Sequence, residues 1–175
     1  YSTFTGASLD GVRLRSGRDL VVERSRFISN GGYGLRIYKG SAGRIERATL
    51  LANEFIANGA YGAAVGNTRD AYLEGNLYSQ NQFAGLWVYD AYSLQGVRDT
   101  ASYNESHGIG GLNSIDSGIA DATATGNRNG IRIRGNEPGQ GPPTSDLVIE
   151  GAAGTLTVTG NQYSGIEFLG IATGQ

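Results

Sequence analysis

Few side chains here can move a proton near neutral pH, and they stand at regular positions. His107 is the one histidine and Lys39 the one lysine. Tyr33, Tyr61 and His107 each directly precede a glycine (Gly34, Gly62, Gly108), and Ala84 precedes Gly85 in the same series. A tyrosine and a histidine on one line, with a small residue between them, could straddle one sugar ring as acid and base, and Lys39 adds a cation to the set. The plainer reading of these residues is that they are edge side chains. Paired carboxylates for glycoside hydrolysis are not evident. The chain has no cysteine, which removes Cys-ligated zinc or iron–sulfur sites. Only an oxygen-ligated calcium site could be built, and no aspartate cluster or EF-hand spacing supports one, so no cofactor or metal is expected.

Those glycines open a repeat. Glycine, apolar, any residue, apolar begins at Gly11, Gly34, Gly62, Gly85, Gly108, Gly130 and Gly165, with steps of 23, 28, 23, 23, 22 and 35 residues. A unit of 22–23 residues is therefore stacked with two insertions. A second marker runs in phase: Asn30, Asn58, Asn81, Asn104 and Asn161 lie four residues before a repeat glycine, and Asn127 three before its own. Period-two bursts without a sustained amphipathic helix predict strands.

Three inward columns follow. Leu35 and Ile37, Ala63 and Val65, Leu86 and Val88, Ile131 and Ile133 belong to the first, with Val12, Leu14, Ile166 and Phe168 at its ends. Phe27, Phe55, Tyr78, Ala101, Ala124 and Val158 form the second; Val22, Leu50, Leu73, Gly96, Ile119 and Ala153 form the third. The expected fold is all-β: a single domain over 1–175, a parallel β-helix of about seven coils with three short strands per coil. Asparagines at a bend can adopt left-handed backbone geometry and bond each other in a ladder. The repeat glycines allow either a positive φ or a close approach.

If the apolar pair of each glycine-led strand points inward, two columns point out. One reads Arg13, Arg36, Ala64, Trp87, Gly110, Arg132, Glu167; the other Arg15, Tyr38, Gly66, Tyr89, Leu112, Arg134, Leu169. Of these, Arg13, Arg36, Tyr38, Trp87, Tyr89, Arg132 and Arg134 are the candidate substrate-binding set. Tyrosine and tryptophan offer flat apolar faces to pyranose rings, and arginine can grip a carboxylate or sulfate through two bonds. The alternative is an ordinary solvated face. Both insertions, around 39–44 and within 134–146, follow this strand and would wall a cleft; the second holds Pro138, Pro142 and Pro143, the only prolines.

The segments NGGYGLRI (30–37), NGAYGAAV (58–65), NQFAGLWV (81–88) and ASYNESHGIGG (101–111) resemble the right-handed parallel β-helix repeats of the pectate-lyase-like superfamily. They are most similar to those of mannuronan C5-epimerase catalytic modules and related carbohydrate-active proteins. The resemblance implies an extracellular, cell-surface or periplasmic protein that binds an acidic polysaccharide and modifies it by lyase or epimerase chemistry. The epimerase pattern puts Asp-Pro-His after Tyr-Gly-aromatic, whereas here Tyr33, Gly34 and Leu35 are followed by Arg36, Ile37 and Tyr38. The carry-over of catalytic residues stops at Tyr33. A non-catalytic fibre, tailspike or surface solenoid is the other class that such repeats serve.

A formal charge of −2 predicts no general attraction to nucleic acid, and no apolar run is long enough to insert in a membrane. Without a capping helix at either end or any methionine, the chain is expected to be an excerpt of a longer protein, or to have its ends covered by neighbouring subunits.

Overall fold

A computed structural model describes residues 1–39, 43, 45–135, 148–150 and 156–169. Every named element is a strand, and all pairings are parallel. The first sheet stacks the glycine-led strands Val12–Leu14, Leu35–Ile37, Ala63–Gly66, Leu86–Tyr89, His107–Leu112, Asn129–Arg134 and Ile166–Leu169. The second stacks Thr3–Thr5, Arg26–Ile28, Glu54–Ile56, Leu77–Ser79, Thr100–Ser102, Thr123–Thr125 and Thr157–Thr159. The third runs from Gly17–Glu23 through Ile45–Leu51, Tyr72–Glu74, Gln95–Val97 and Gly118–Ala120 to Val148–Glu150; Thr68–Arg69 pairs beside it. Each strand bonds its counterpart one coil away, the expected parallel β-helix.

The inward columns pack as aromatic and aliphatic stacks. Phe4, Phe27, Phe55 and Tyr78 lie ring on ring with centroids 4.9, 4.8 and 5.1 Å apart, close to the ladder spacing of a sheet. Burying each such ring contributes about 1.5–3 kcal/mol, and only a neighbouring coil can supply the cover. In the third column Ile149, not Ala153, pairs with Ile119. The long insertion between the sixth and seventh coils hid that register in the sequence; Ala153 lies outside the described residues, as do the three prolines and most of 40–44.

The asparagine column is a hydrogen-bonded ladder. Asn58 Nδ2 donates to Asn81 Oδ1 (3.0 Å), Asn81 Nδ2 to Asn104 Oδ1 (2.9 Å) and Asn104 Nδ2 to Asn127 Oδ1 (2.9 Å), while each backbone N–H bonds the same oxygen. The left-handed residue is not the asparagine, however, but the one before it: Ser29, Ala57, Gln80 and Tyr103 have φ of 53°, 54°, 58° and 55°. Nor do the repeat glycines have positive φ. They serve close approach: a Cβ on Gly62 would stand 2.6 Å from the Gly85 carbonyl oxygen and 2.9 Å from Asn81 Nδ2.

Candidate functional site

The first sheet presents both outward columns in the expected register: Arg13 pairs with Arg36, Arg36 with Ala64, Ala64 with Trp87, Trp87 with Gly110, Gly110 with Arg132 and Arg132 with Glu167. The two rows are not a uniform solvated face. Ala64, Gly66 and Gly110 are buried, the two glycines because large neighbours lie over them: a Cβ on Gly66 would collide with the Tyr89 ring, and one on Gly110 with the Trp87 ring. Absent side chains in one coil thus let the aromatics of the next lie flat along the stack.

Arg36 is held by aromatic rings. Its guanidinium sits 4.7 Å from the Tyr33 ring centroid and 4.6 Å from that of Tyr38. Tyr89, lying across Gly66, also reaches it; burial raises the Tyr89 pKa and the Arg36 charge opposes that rise. Cation–π contacts on its flanks fix the fork yet leave guanidinium donors for a planar anion. Arg15 Nε donates to Tyr38 Oη at 2.5 Å. Arg13 differs, being tied to Asp10 at 2.8 Å, a carboxylate that also accepts the Tyr33 N–H at 3.1 Å. Lys39 is exposed beyond Tyr38, at the edge of this group.

An aromatic line runs along the first sheet. Tyr33 stacks on Tyr61 (5.1 Å), and Tyr61 on Phe83 (5.6 Å), an exposed ring that spacing from the glycines did not single out. Tyr61 also meets Trp87 at 6.0 Å, and Trp87 meets His107 at 6.2 Å. Ala84 is fully buried, and Trp87 occupies the interval between Tyr61 and His107. Those two side chains are therefore linked by an indole rather than facing each other across an open gap.

His107 opens a cavity of about 400 Å³ lined with Ser106, Arg128, Asn129, Arg132, Tyr163, Ser164 and Glu167. Asn129 Nδ2 lies 3.3 Å from His107 Nδ1, an arrangement that puts the ring proton on Nε2 when the amide donates. Burial, then the charge of Arg132, lowers the His107 pKa to about 4, so the imidazole is neutral at pH 7. Arg132 Nε is 2.8 Å from Glu167 Oε2 yet out of line for a hydrogen bond, which leaves a buried N–H without an aligned acceptor. Arg128 lies 5.0 Å over the Tyr163 ring. Arg134 is exposed on the second outward column, one coil from Leu112. Arg36 and its tyrosines thus lie toward one end of the first sheet and the His107 cavity toward the other, with Trp87 between them. Arg128 and Tyr163 went unmarked in the sequence because they sit in the turn before the strand, and Asn129 because it opens the strand one residue ahead of the repeat glycine. No group of three or more metal-ligating side chains occurs among the described residues.

Comparison with known proteins locates the architecture. The family model described as right handed beta helix region matches residues 1–139 and 46–169. No match is found among curated proteins. Among solved structures, the chain is similar to the A-module of the Azotobacter vinelandii mannuronan C-5 epimerase AlgE6, with a TM-score of 0.71 and 17% identity over 98% of this chain and 57% of that one. It is also similar to a variant of the periplasmic alginate epimerase AlgG (TM-score 0.68, 14% identity, 97% and 44% covered) and to the A-module of Azotobacter vinelandii AlgE4 (0.60, 17%, 93% and 50%). The chain spans about half the length of these structures.

Proposed function

The chain belongs to the right-handed β-helix family, and on that premise we propose that its first sheet binds an acidic polysaccharide, laid along the coils and recognised by its carboxylates. The observation that carries this reading is the Arg36 guanidinium held between Tyr33 and Tyr38, 4.7 and 4.6 Å from their centroids. It combines a fixed fork for an oxyanion with flat faces for sugar rings. Arg132 and Arg128 supply cations toward the far end of the sheet, and Trp87 and Tyr89 an apolar floor between. The fold shared with alginate epimerases supports a polyuronate over a sulfated or neutral glycan. It likewise supports a periplasmic or extracellular setting.

In this reading Arg13, Arg36, Tyr38, Trp87, Tyr89, Arg132 and Arg134 hold the chain. Proton transfer at C5, as a lyase or epimerase needs, falls to Tyr33, Tyr61, His107 and Lys39, with an arginine neutralising the adjoining carboxylate. Burial keeps His107 unprotonated and Tyr61 protonated at pH 7, the states from which an acceptor and a donor start, and with Trp87 between them the two serve different rings of the chain. Arg36, Ile37 and Tyr38, standing where the epimerases have Asp-Pro-His, favour binding over catalysis in this segment.

Affinity electrophoresis through alginate, pectate and a neutral glucan tests the reading. Retardation by the polyuronates alone, weakened by Arg36→Ala and Trp87→Ala, is expected. Equal mobility in every gel would assign the chain to the structural solenoids. Incubation of the protein with alginate, followed by anomeric-proton NMR and ultraviolet absorbance of unsaturated uronate, separates modification from binding.

A further inference from the structure

A second polar column runs inside the stack, at the corner between the third and second sheets. Asn53, Asn76 and Asp99 lie in successive coils, all buried. Asn53 Nδ2 donates to Asn76 Oδ1 (3.0 Å) and to the Val22 carbonyl (2.9 Å). Asn76 Nδ2 donates to Asp99 Oδ1 (3.0 Å) and to the Leu50 carbonyl (3.0 Å). The rule is regular: the second terminal atom of each side chain donates to the carbonyl three residues before its own position, one coil earlier. Val22 pairs with Leu50, Leu50 with Leu73 and Leu73 with Gly96, so the carbonyl that faces Asp99 by this rule is that of Leu73. An asparagine there would donate through Nδ2. Asp99 instead has Oδ2, a buried oxygen without a partner.

We propose that Asp99 is a neutral carboxylic acid in the folded protein, its Oδ2 proton directed at the Leu73 carbonyl, and that losing this proton opens the second ladder from Asp99 toward Asn53. A carboxylate would set two acceptors against each other in a dry core, the arrangement that buried polar groups avoid. On its other sides Asp99 meets Asn76, whose N–H reaches Oδ1 at 2.8 Å, and Gly96 in the middle of the strand Gln95–Val97. Its titratable neighbour is the Tyr78 hydroxyl, itself buried without a partner; no charged group among the described residues shifts Asp99. Desolvation raises the Asp99 pKa to about 7, in keeping with the geometry, while the two bonds from Asn76 restrain the rise. The ladder thus carries a proton-dependent latch near neutrality, whereas the all-asparagine ladder beside it carries none.

Two measurements on the intact protein test this. The Cγ resonance of Asp99, assigned by its loss in Asp99→Asn, should titrate near pH 7. Hydrogen exchange at the Asn53 and Asn76 amides, divided by that at Asn81 and Asn104 to cancel intrinsic base catalysis, should be flat below pH 6. Above pH 7 that ratio should rise by up to about tenfold per pH unit as the latch deprotonates. Asp99→Asn should flatten the ratio at all pH values. A Cγ midpoint in the ordinary aspartate range, or an exchange ratio independent of pH in the unaltered protein, overturns the proposal without needing the variant to fold.

Discussion

Replacing Asn81 by alanine removes the middle rung of the first ladder, and the structure sets the size of the loss. Asn81 Oδ1 accepts the Asn58 N–H (3.1 Å) and Asn58 Nδ2 (3.0 Å), while Asn81 Nδ2 donates to the Phe55 carbonyl (3.1 Å) and Asn104 Oδ1 (2.9 Å). In the variant Asn58 Nδ2 keeps the Phe27 carbonyl at 3.0 Å, but the Asn58 N–H has nothing left and is fully buried. An orphaned buried donor costs about 1–3 kcal/mol, and each of the three further lost bonds about 0.5–1.5, so the expected total is about 5 kcal/mol. Asn30 is the internal control. Its Oδ1 takes only the part-buried Ala7 N–H at 3.2 Å, so Asn30→Ala should cost about half as much. Urea unfolding followed by circular dichroism gives both values from one series. A loss below about 1 kcal/mol for Asn81→Ala, or one no larger than for Asn30→Ala, would refute the claim that these amides bind the coils together.

Further outcomes follow from the same packing. Gly62→Ala should destabilise by several times more than Gly75→Ala in the same assay: a Cβ at Gly62 strikes backbone at 2.6 Å, whereas Gly75, at φ +62°, meets nothing and costs only about 1 kcal/mol of left-handed strain. Gly66→Ala should expel the Tyr89 ring and free Arg36, changing retardation in alginate gels while leaving the urea midpoint nearly unmoved. The pH profile has two opposed parts. His107, depressed from 6.5 to about 4, contributes stability that is full above pH 6.5 and lost as pH falls through 4. Asp99, raised from 3.8 to about 7, contributes stability that is full below 3.8 and lost as pH rises through 7. Unfolding midpoints between pH 4 and 6.5 should therefore rise with pH in Asp99→Asn, fall in His107→Gln, and change least in the unaltered protein.

Much of this was legible in the spacing. One period for glycines, asparagines and apolar pairs suffices to place Arg36 against Ala64 and Trp87 against Gly110, because a solenoid turns sequence distance into vertical neighbourhood. The second ladder carried the same kind of signal: Ser25, Asn53, Asn76 and Asp99 each stand five residues before an asparagine of the first. It was missed because an aspartate and a serine interrupt the identity of the column. The spacing separates inward from outward side chains, but it does not show which way an outward ring leans along the stack. That Tyr89 crosses Gly66, or that Trp87 fills the interval beyond Tyr61, depends on which rotamer the missing Cβ permits. Left-handed corners were misassigned for a related reason, since sixteen non-glycine residues among those described take positive φ where the turn geometry demands it, alanines and arginines among them. Ile149 replaced Ala153 because the 35-residue step from Gly130 to Gly165 hides how far the third-column strand lies from the next repeat glycine.

The place where a polyuronate lies on the coils is the most direct test of the first sheet's role. Chemical-shift mapping with alginate oligomers should move Tyr33, Arg36, Trp87 and His107 together along the first sheet and leave Thr100, Thr123 and Thr157 on the second unmoved. Shifts confined to the second or third sheet, or scattered over the surface at every oligomer length, would contradict it.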